Sequence, residues 1–123
     1  MEKVFEAKDP NNTYVTLYDS TWNNHILPSH SMMKDHLEDI KDAIENPDYI
    51  YESNKSNPPL DYRVVYIKGT KVGTYFDDSR KWFTKVVSSN GGNHGEVVTA
   101  FPAPNIMQGT NGEEPIYEAS NDD

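Results

Sequence analysis

Hydrophobic positions follow a helical period over one segment and a strand period over much of the rest. From Ser31 to Glu45, a repeat of about 100° per residue gathers four apolar side chains on one face, and charged residues cover the opposite face. The four are Met33, Leu37, Ile40 and Ile44. Asn46-Pro47 ends the segment because a residue before proline disfavours the helical conformation. The pattern predicts one amphipathic helix over 31–45.

Six segments rich in β-branched and aromatic residues predict strands. They are Thr13–Tyr18, Tyr49–Glu52, Asp61–Lys68, Val72–Phe76, Lys81–Ser88 and Glu96–Phe101. Turn-forming residues separate most of the later ones, and links this short favour antiparallel neighbours because parallel crossovers need a dozen or more residues. We therefore predict an α+β fold, with one main amphipathic helix packed on an antiparallel sheet of about four to five strands.

The chain has room for one hydrophobic core at 123 residues. Residues 1–12 end in turn-formers and are predicted to be a lead-in, and residues 13–107 carry the α+β domain. Residues 108–123 are rich in glycine and acid and hold one large apolar pair, Ile116-Tyr117. That is too little apolar surface to offset the ordering entropy, so an acidic, disordered tail is expected.

Charge and composition narrow the classes of function. A net charge of -9 argues against nucleic-acid binding unless positive charge clusters locally, since lysine and arginine supply much of that affinity. The chain has no cysteine, and its apolar runs fall short of the roughly 20 residues of a membrane span. Its mixed-charge start lacks the apolar segment of a secretory signal. We expect a cytoplasmic protein without membrane contact.

Two of the four histidines bracket the approach to the predicted helix. His25 and His30 precede its first turn, where unpaired N–H groups can hold a phosphate. Imidazoles beside that phosphate suit proton transfer near neutral pH. A structural role for both, as caps or buried hydrogen-bonding groups, is the alternative. His36 falls at the boundary of the apolar stripe. His94 lies in a glycine-rich turn, where at most it would line the mouth of a cleft.

The last predicted strand offers a threonine. Strand alternation places Val98 and Ala100 on one face and Val97, Thr99 and Phe101 on the other. Ala100 is small enough for the helix to pack closely over its face. Thr99 then points away from the helix, where its hydroxyl can bond a phosphate oxygen. The alternative is an ordinary strand threonine.

Three motifs occur in an order typical of one superfamily. Trp22-x-x-His25-Ile26-x-x-x-His30 is followed by a helix that ends in Asn46-Pro47-Asp48, and then by Val97-Val98-Thr99-Ala100-Phe101. Over roughly residues 14–106 the chain resembles the phage-associated nucleases of the barnase–EndoU–colicin–RelE superfamily.

This resemblance implies a helix on an antiparallel four-stranded sheet and a toxin-like endoribonuclease. Cleavage would be transesterification by the ribose 2′-hydroxyl, with no metal and no other cofactor. His25, His30 and Thr99 would be the catalytic residues, and RNA the substrate. An antitoxin or immunity protein would be a further partner.

The match departs from the family next to the second histidine. The family places arginine before that histidine and proline after it, whereas this chain reads Ser29-His30-Ser31. The arginine would stabilise the charged phosphorane, so another cation must replace it for full activity. The candidates are Lys68, Arg80, Lys81 and Lys85, and we assign substrate binding to Lys85, Lys68 and Ser29. A solvated lysine is the alternative at position 85.

Two other functions compete with the nuclease hypothesis. The acidic charge and the missing arginine fit a non-catalytic binding or inhibitory protein on the same fold, which contacts a basic protein partner. A metal-dependent hydrolase would use His25, His30 and a carboxylate. The sequence disfavours that reading because it has neither HExxH spacing nor cysteine ligands.

Overall fold

A seven-stranded sheet organises the chain in the computed structural model, which describes residues 1–120. The strands are β1 (Lys3–Lys8), β2 (Tyr14–Tyr18), β3 (Tyr49–Glu52), β4 (Arg63–Gly69), β5 (Phe83–Gly91), β6 (His94–Ala103) and β7 (Tyr117–Glu118). Their order across the sheet is β1-β2-β6-β5-β4-β3-β7. The α+β class predicted from the sequence is confirmed.

The strand pairing is mixed and extends beyond the expected meander. Strands β3, β4, β5 and β6 pair antiparallel in chain order, as the short connections predict. However, β2 pairs parallel to β6 through Tyr14–Thr16, and β1 and β7 add the two outer strands. The expectation of a purely antiparallel sheet of four to five strands is therefore corrected. β1 lies in the predicted lead-in, where charged residues alternate with Val4, Phe5 and Ala7.

The predicted helix over 31–45 is in fact two elements. Ser31–Asp35 form a 3₁₀ turn, and the α-helix α3 spans Leu37–Glu45. His36 interrupts them with a non-helical backbone, because its ring packs 4.4 Å from that of Tyr75 and its Nδ1 lies 2.8 Å from the Asp39 carboxylate. These contacts outweigh the helical propensity of the first turn.

A further helical segment lies between β2 and the 3₁₀ turn. It consists of α1 (Asp19–Thr21), a π-turn (Trp22–Ile26) and α2 (Leu27–Ser29). We call residues 19–29 the helical ribbon. Because β2 runs parallel to β6, the ribbon that leaves β2 continues along the edge of β6 beyond Glu96, where pairing with β2 ends.

One face of the sheet, the helix face, carries the main core. Ile40, Ala43 and Ile44 of α3 are fully buried against Val86 and Ala100. Met33 is fully buried as well, whereas Leu37 is only partly buried. The predicted apolar stripe therefore does face the sheet, with Leu37 at its margin.

The opposite face, the open face, carries a smaller cluster built on Val65, Ile67 and Val87. Strand β6 contains a bulge, since Val87 pairs with Thr99 and Ser88 pairs with Val97. The extra residue, Val98, turns to the open face, and Val97 turns to the helix face. The alternation predicted for positions 97 and 98 is therefore reversed.

The segment Val72–Phe76 is a loop and not the predicted strand. Gly73 has a φ of +88°, and Thr74 N donates to Lys71 O at 3.1 Å, which closes a turn. Tyr75 is nevertheless half-buried and bonds to the Thr84 hydroxyl. The aromatic side chain of Tyr75 packs onto the sheet, although its segment does not pair with another strand.

The acidic tail lies against the sheet as far as residue 120, which differs from the expected disorder. β7 pairs antiparallel with β3, and Ile116 N donates to Ile50 O at 2.7 Å. Thr110 is buried and forms a bridge with Ser53. Backbone hydrogen bonds to β3 order this segment, although its apolar side chains alone would be too few to do so. The rest of the predicted tail, residues 121–123, lies outside the described residues.

Candidate functional site

The helical ribbon presents both candidate histidines near its end. Leu27 N donates to Trp22 O, which gives a π-turn, a rare element that is frequent at functional sites. His25 lies in this turn and is exposed. His30 is the first residue after the ribbon, where its N–H donates to Ile26 O at 2.7 Å.

His30 packs on the last residue of the threonine motif. Its ring centroid lies 5.5 Å from that of Phe101, and the two planes are tilted by 34°. Burial lowers the pKa of His30 below its ordinary value, and the positive charge of His25 lowers it further. His25 is therefore close enough to His30 to influence the charge of the His30 imidazole.

Thr99 lies on the same face of β6 as Phe101. The two residues are separated by one position beyond the bulge, a separation of about 7 Å along a strand. Thr99 is half-buried, and Phe101 belongs to the open-face cluster. The structure thus brings His30 and Thr99 to one region of the open face, with His25 beside His30.

The phosphate site expected at a helix start next to His30 is absent. Helix α3 begins at Leu37, and the 3₁₀ turn separates it from His30. Within that turn Met33 N already donates to His30 O at 2.9 Å. Any phosphate near His30 must therefore rely on side chains and not on the α3 N-terminus.

Two of the three assigned substrate-binding residues have other partners. Lys85 is fully buried, and its Nζ donates to the carbonyl of Ile106 at 2.7 Å and to that of Gln108. Burial lowers the pKa of Lys85 to about 8. Lys68 lies on the helix face of β4, with its Nζ 3.8 Å from the Asp48 carboxylate. Both ammonium groups thus have partners within the protein, and their assignment to substrate binding stays a prediction.

Other positive and polar groups are better placed. Ser29 is exposed at the end of the ribbon, next to His30. Lys81 is exposed, and its Nζ lies 5.7 Å from the ring centroid of Phe83. Phe83 packs in the open-face cluster together with Phe101. Lys81, one of the four replacement cations considered above, therefore lies over the open face, with its Nζ beside Phe83 and Gly69 of β4.

The remaining two histidines have separate surroundings. His36 is half-buried between Asp39 and Tyr75, which fits its expected position at the boundary of the apolar stripe. His94 is exposed at the start of β6 and borders a cavity of about 510 Å³ on the open face. Sequence reasoning missed this cavity because one of its walls is β1, which was taken for an irregular lead-in.

Within residues 1–120 no group of three or more His, Asp or Glu side chains is arranged to hold a metal ion. None of the helices there is long and apolar enough to cross a membrane.

No family model, curated protein or solved structure matched this chain.

Proposed function

We propose that this chain is a metal-independent endoribonuclease in which His25 and His30 form the acid–base pair. The observation that carries the proposal is the position of His30. Its ring is held on Phe101, next to Thr99, and both burial and the charge of His25 lower its pKa. Proton transfer by an enzyme needs an imidazole that is fixed in place and available in its neutral form near neutral pH.

The environment of each histidine suggests its role. His30 is the more buried, and its lowered pKa keeps it neutral, so it accepts the proton of the ribose 2′-hydroxyl. The 2′-oxygen then attacks phosphorus and the bond to the 5′-oxygen breaks. His25, exposed at the rim, donates a proton to that leaving oxygen in its protonated form. The products are a 2′,3′-cyclic phosphate and a 5′-hydroxyl.

Two further side chains stabilise the charged intermediate. The Thr99 hydroxyl donates to a non-bridging phosphate oxygen from the open face of β6. Lys81 supplies the positive charge that the resembling nucleases place beside their second histidine. Such preorganised donors are worth several kcal/mol in related electrostatic sites, roughly a hundredfold or more in rate.

The fold fits the resemblance in its central part. Helix α3 packs on an antiparallel run of four strands, β3 to β6, and the histidines and Thr99 lie near β6. This is the arrangement implied by the barnase–EndoU–colicin–RelE resemblance, with β1, β2 and β7 as additions. On this basis we place the chain among toxin-like or phage-associated ribonucleases, for which an antitoxin or immunity protein would be a partner.

A comparison of two substrates tests the reaction type. The purified protein is incubated in EDTA with a fluorogenic RNA and with the same sequence as 2′-O-methyl RNA. Cleavage of the RNA alone supports the proposal, since the methyl group removes the attacking nucleophile. Cleavage of both substrates, or cleavage that requires added divalent metal, overturns it.

The charge distribution favours one other candidate, a non-catalytic protein that binds a basic partner. The exposed side of α3 carries Glu38 and Glu45, the net charge is -9, and the Lys85 ammonium is turned inward. Tight binding of a basic protein, together with no RNA cleavage at any pH from 5 to 8, would favour this candidate.

A further inference from the structure

The cavity on the open face is a site that the proposed chemistry does not use. Its volume of about 510 Å³ lies in the ordinary range for small-ligand sites, about 300–1,000 Å³. It is formed where β1, β2 and the start of β6 meet the end of β5. Its lining includes Lys3, Thr16, Tyr18, Ser89, His94 and Glu96.

The ring of His94 lines the cavity, and the ring of Tyr14 lies next to that of His94. The rings of Tyr14 and His94 lie 6.2 Å apart with a tilt of 38°, and both side chains are exposed. Lys8 places its Nζ 5.8 Å from the Tyr14 ring centroid. Flat rings next to lysine are the combination that proteins use to stack the bases of single-stranded nucleic acid and to hold its backbone.

The polar groups inside the cavity offer mainly acceptors. Glu96 is exposed, and its carboxylate forms no hydrogen bond or ion pair within residues 1–120. Glu6 accepts from Lys3 at 3.2 Å and from the Thr16 hydroxyl at 3.4 Å. Carboxylates accept hydrogen bonds from the amino groups of bases. The site therefore suits the edge of a nucleobase better than it suits a phosphate.

The cavity and the histidines lie along the same strand. Glu96 of the cavity and Thr99 are three positions apart on β6, about 10 Å along the strand. A short oligonucleotide that extends over the open face therefore reaches both places. The bases of a duplex are stacked and paired, so a base enters such a cavity from a single strand.

We propose that this cavity binds a nucleobase of single-stranded RNA close to the scissile phosphate. The inference rests on the proposed ribonuclease function and names its substrate as an unpaired strand. Tyr14 and His94 stack the base, Glu96 accepts from its polar edge, and Lys3 and Lys8 attract the backbone.

Binding of a non-cleavable strand tests the proposal separately from catalysis. Fluorescence anisotropy is measured with a labelled 2′-O-methyl RNA hexamer of mixed sequence at low salt. Tyr14→Ala and His94→Ala should each weaken its binding by about fivefold to a hundredfold, the usual effect of losing one stacking ring. Tyr117→Ala, at the opposite edge of the sheet, is the matched control and should leave binding unchanged.

The possible outcomes separate the two proposals. Loss of binding in the two cavity variants supports the nucleobase site, even if no RNA is cleaved and the ribonuclease proposal fails. Binding that is unaffected by both variants overturns it. The nucleobase proposal is also overturned if the wild-type protein does not bind the hexamer. The same holds if the cavity binds oligolysine through Glu96 and does not bind the hexamer.

Discussion

The imidazole of His30 lies against the ring of Phe101, with 5.5 Å between the ring centroids. Phe101 shares one face of β6 with Thr99, so a single contact joins the end of the helical ribbon to the motif on the last long strand. Two residues that are 71 positions apart in the sequence thereby become neighbours. The proposed site depends on this contact.

The titration of His30 reports directly on that contact. We expect a pKa below 6.5 because burial and the charge of His25 both disfavour the imidazolium form. His25→Gln removes the charge, and Phe101→Ala reduces burial, so each should raise the pKa of His30 towards 6.5. Histidine ring signals followed by NMR against pH provide the measurement, and unchanged pKa values in both variants would contradict the described site.

The same shift has a consequence for stability. A lowered folded-state pKa means that the unfolded chain binds more protons between that pKa and 6.5. The contribution of His30 is thus fully present above pH 6.5 and is lost as the pH falls through this window. Denaturant unfolding of wild type and His30→Gln across this range should show a shallower pH dependence for the variant.

Replacement of the paired histidines should remove most of the activity. His25→Ala and His30→Ala should each reduce the rate of RNA cleavage by about two to four orders of magnitude, the usual contribution of general acid–base catalysis. His36→Ala is the control. It loses contacts to Asp39 and Tyr75 and should lower stability, but the folded variant should keep its rate. A larger loss of rate in His36→Ala than in His30→Ala would show that the catalytic site does not lie at His30.

Much of the architecture could be predicted from the sequence because it follows from local patterns. The strand Tyr49–Glu52 has the bounds expected from its composition, and the buried stripe of α3 follows from helical spacing. The parallel pairing of β2 with β6 could not be predicted, since it is a contact between distant segments. The break at His36 likewise depends on Tyr75, far along the chain.

The candidate site, too, could be predicted from the sequence only in part. The motifs indicated His25, His30 and Thr99, and the fold places His30 and Thr99 on one side of β6. The roles of the lysines could not be predicted, because strand alternation says which face a residue occupies and not what covers that face. Lys85 is on the expected strand, yet the loop that contains Ile106 covers it.

The Thr99 hydroxyl should matter for catalysis and little for folding. Thr99→Val keeps the shape of the side chain and removes the donor, so the rate should fall by about tenfold or more, as expected for one hydrogen bond to a charged group. Thr84→Val is a matched change on β5, on the opposite face of the sheet, where the hydroxyl bonds to Tyr75. It should affect stability more than rate. Steady-state kinetics and thermal unfolding of both variants separate the two effects.

The C-terminal segment should contribute to stability, contrary to the expectation from composition. Truncation after Gln108 removes the pairing of β7 with β3, the buried Thr110 and the packed ring of Tyr117. A loss of about 1–2 kcal/mol would lower the melting temperature by roughly 3–10 °C in a domain of this size. An unchanged melting temperature would show that the tail does not dock, and Tyr117→Ala should give a smaller decrease.

The chemistry of the product ends tests the central claim most directly. RNA is incubated in EDTA with the wild-type protein and with His30→Ala, and the new termini are identified by phosphorus NMR. We predict 2′,3′-cyclic phosphate and 5′-hydroxyl ends with the wild type, and almost none with the variant. Products with 5′-phosphate ends, or equal cleavage by His30→Ala, would contradict the claim that this chain is a histidine-dependent transesterifying ribonuclease.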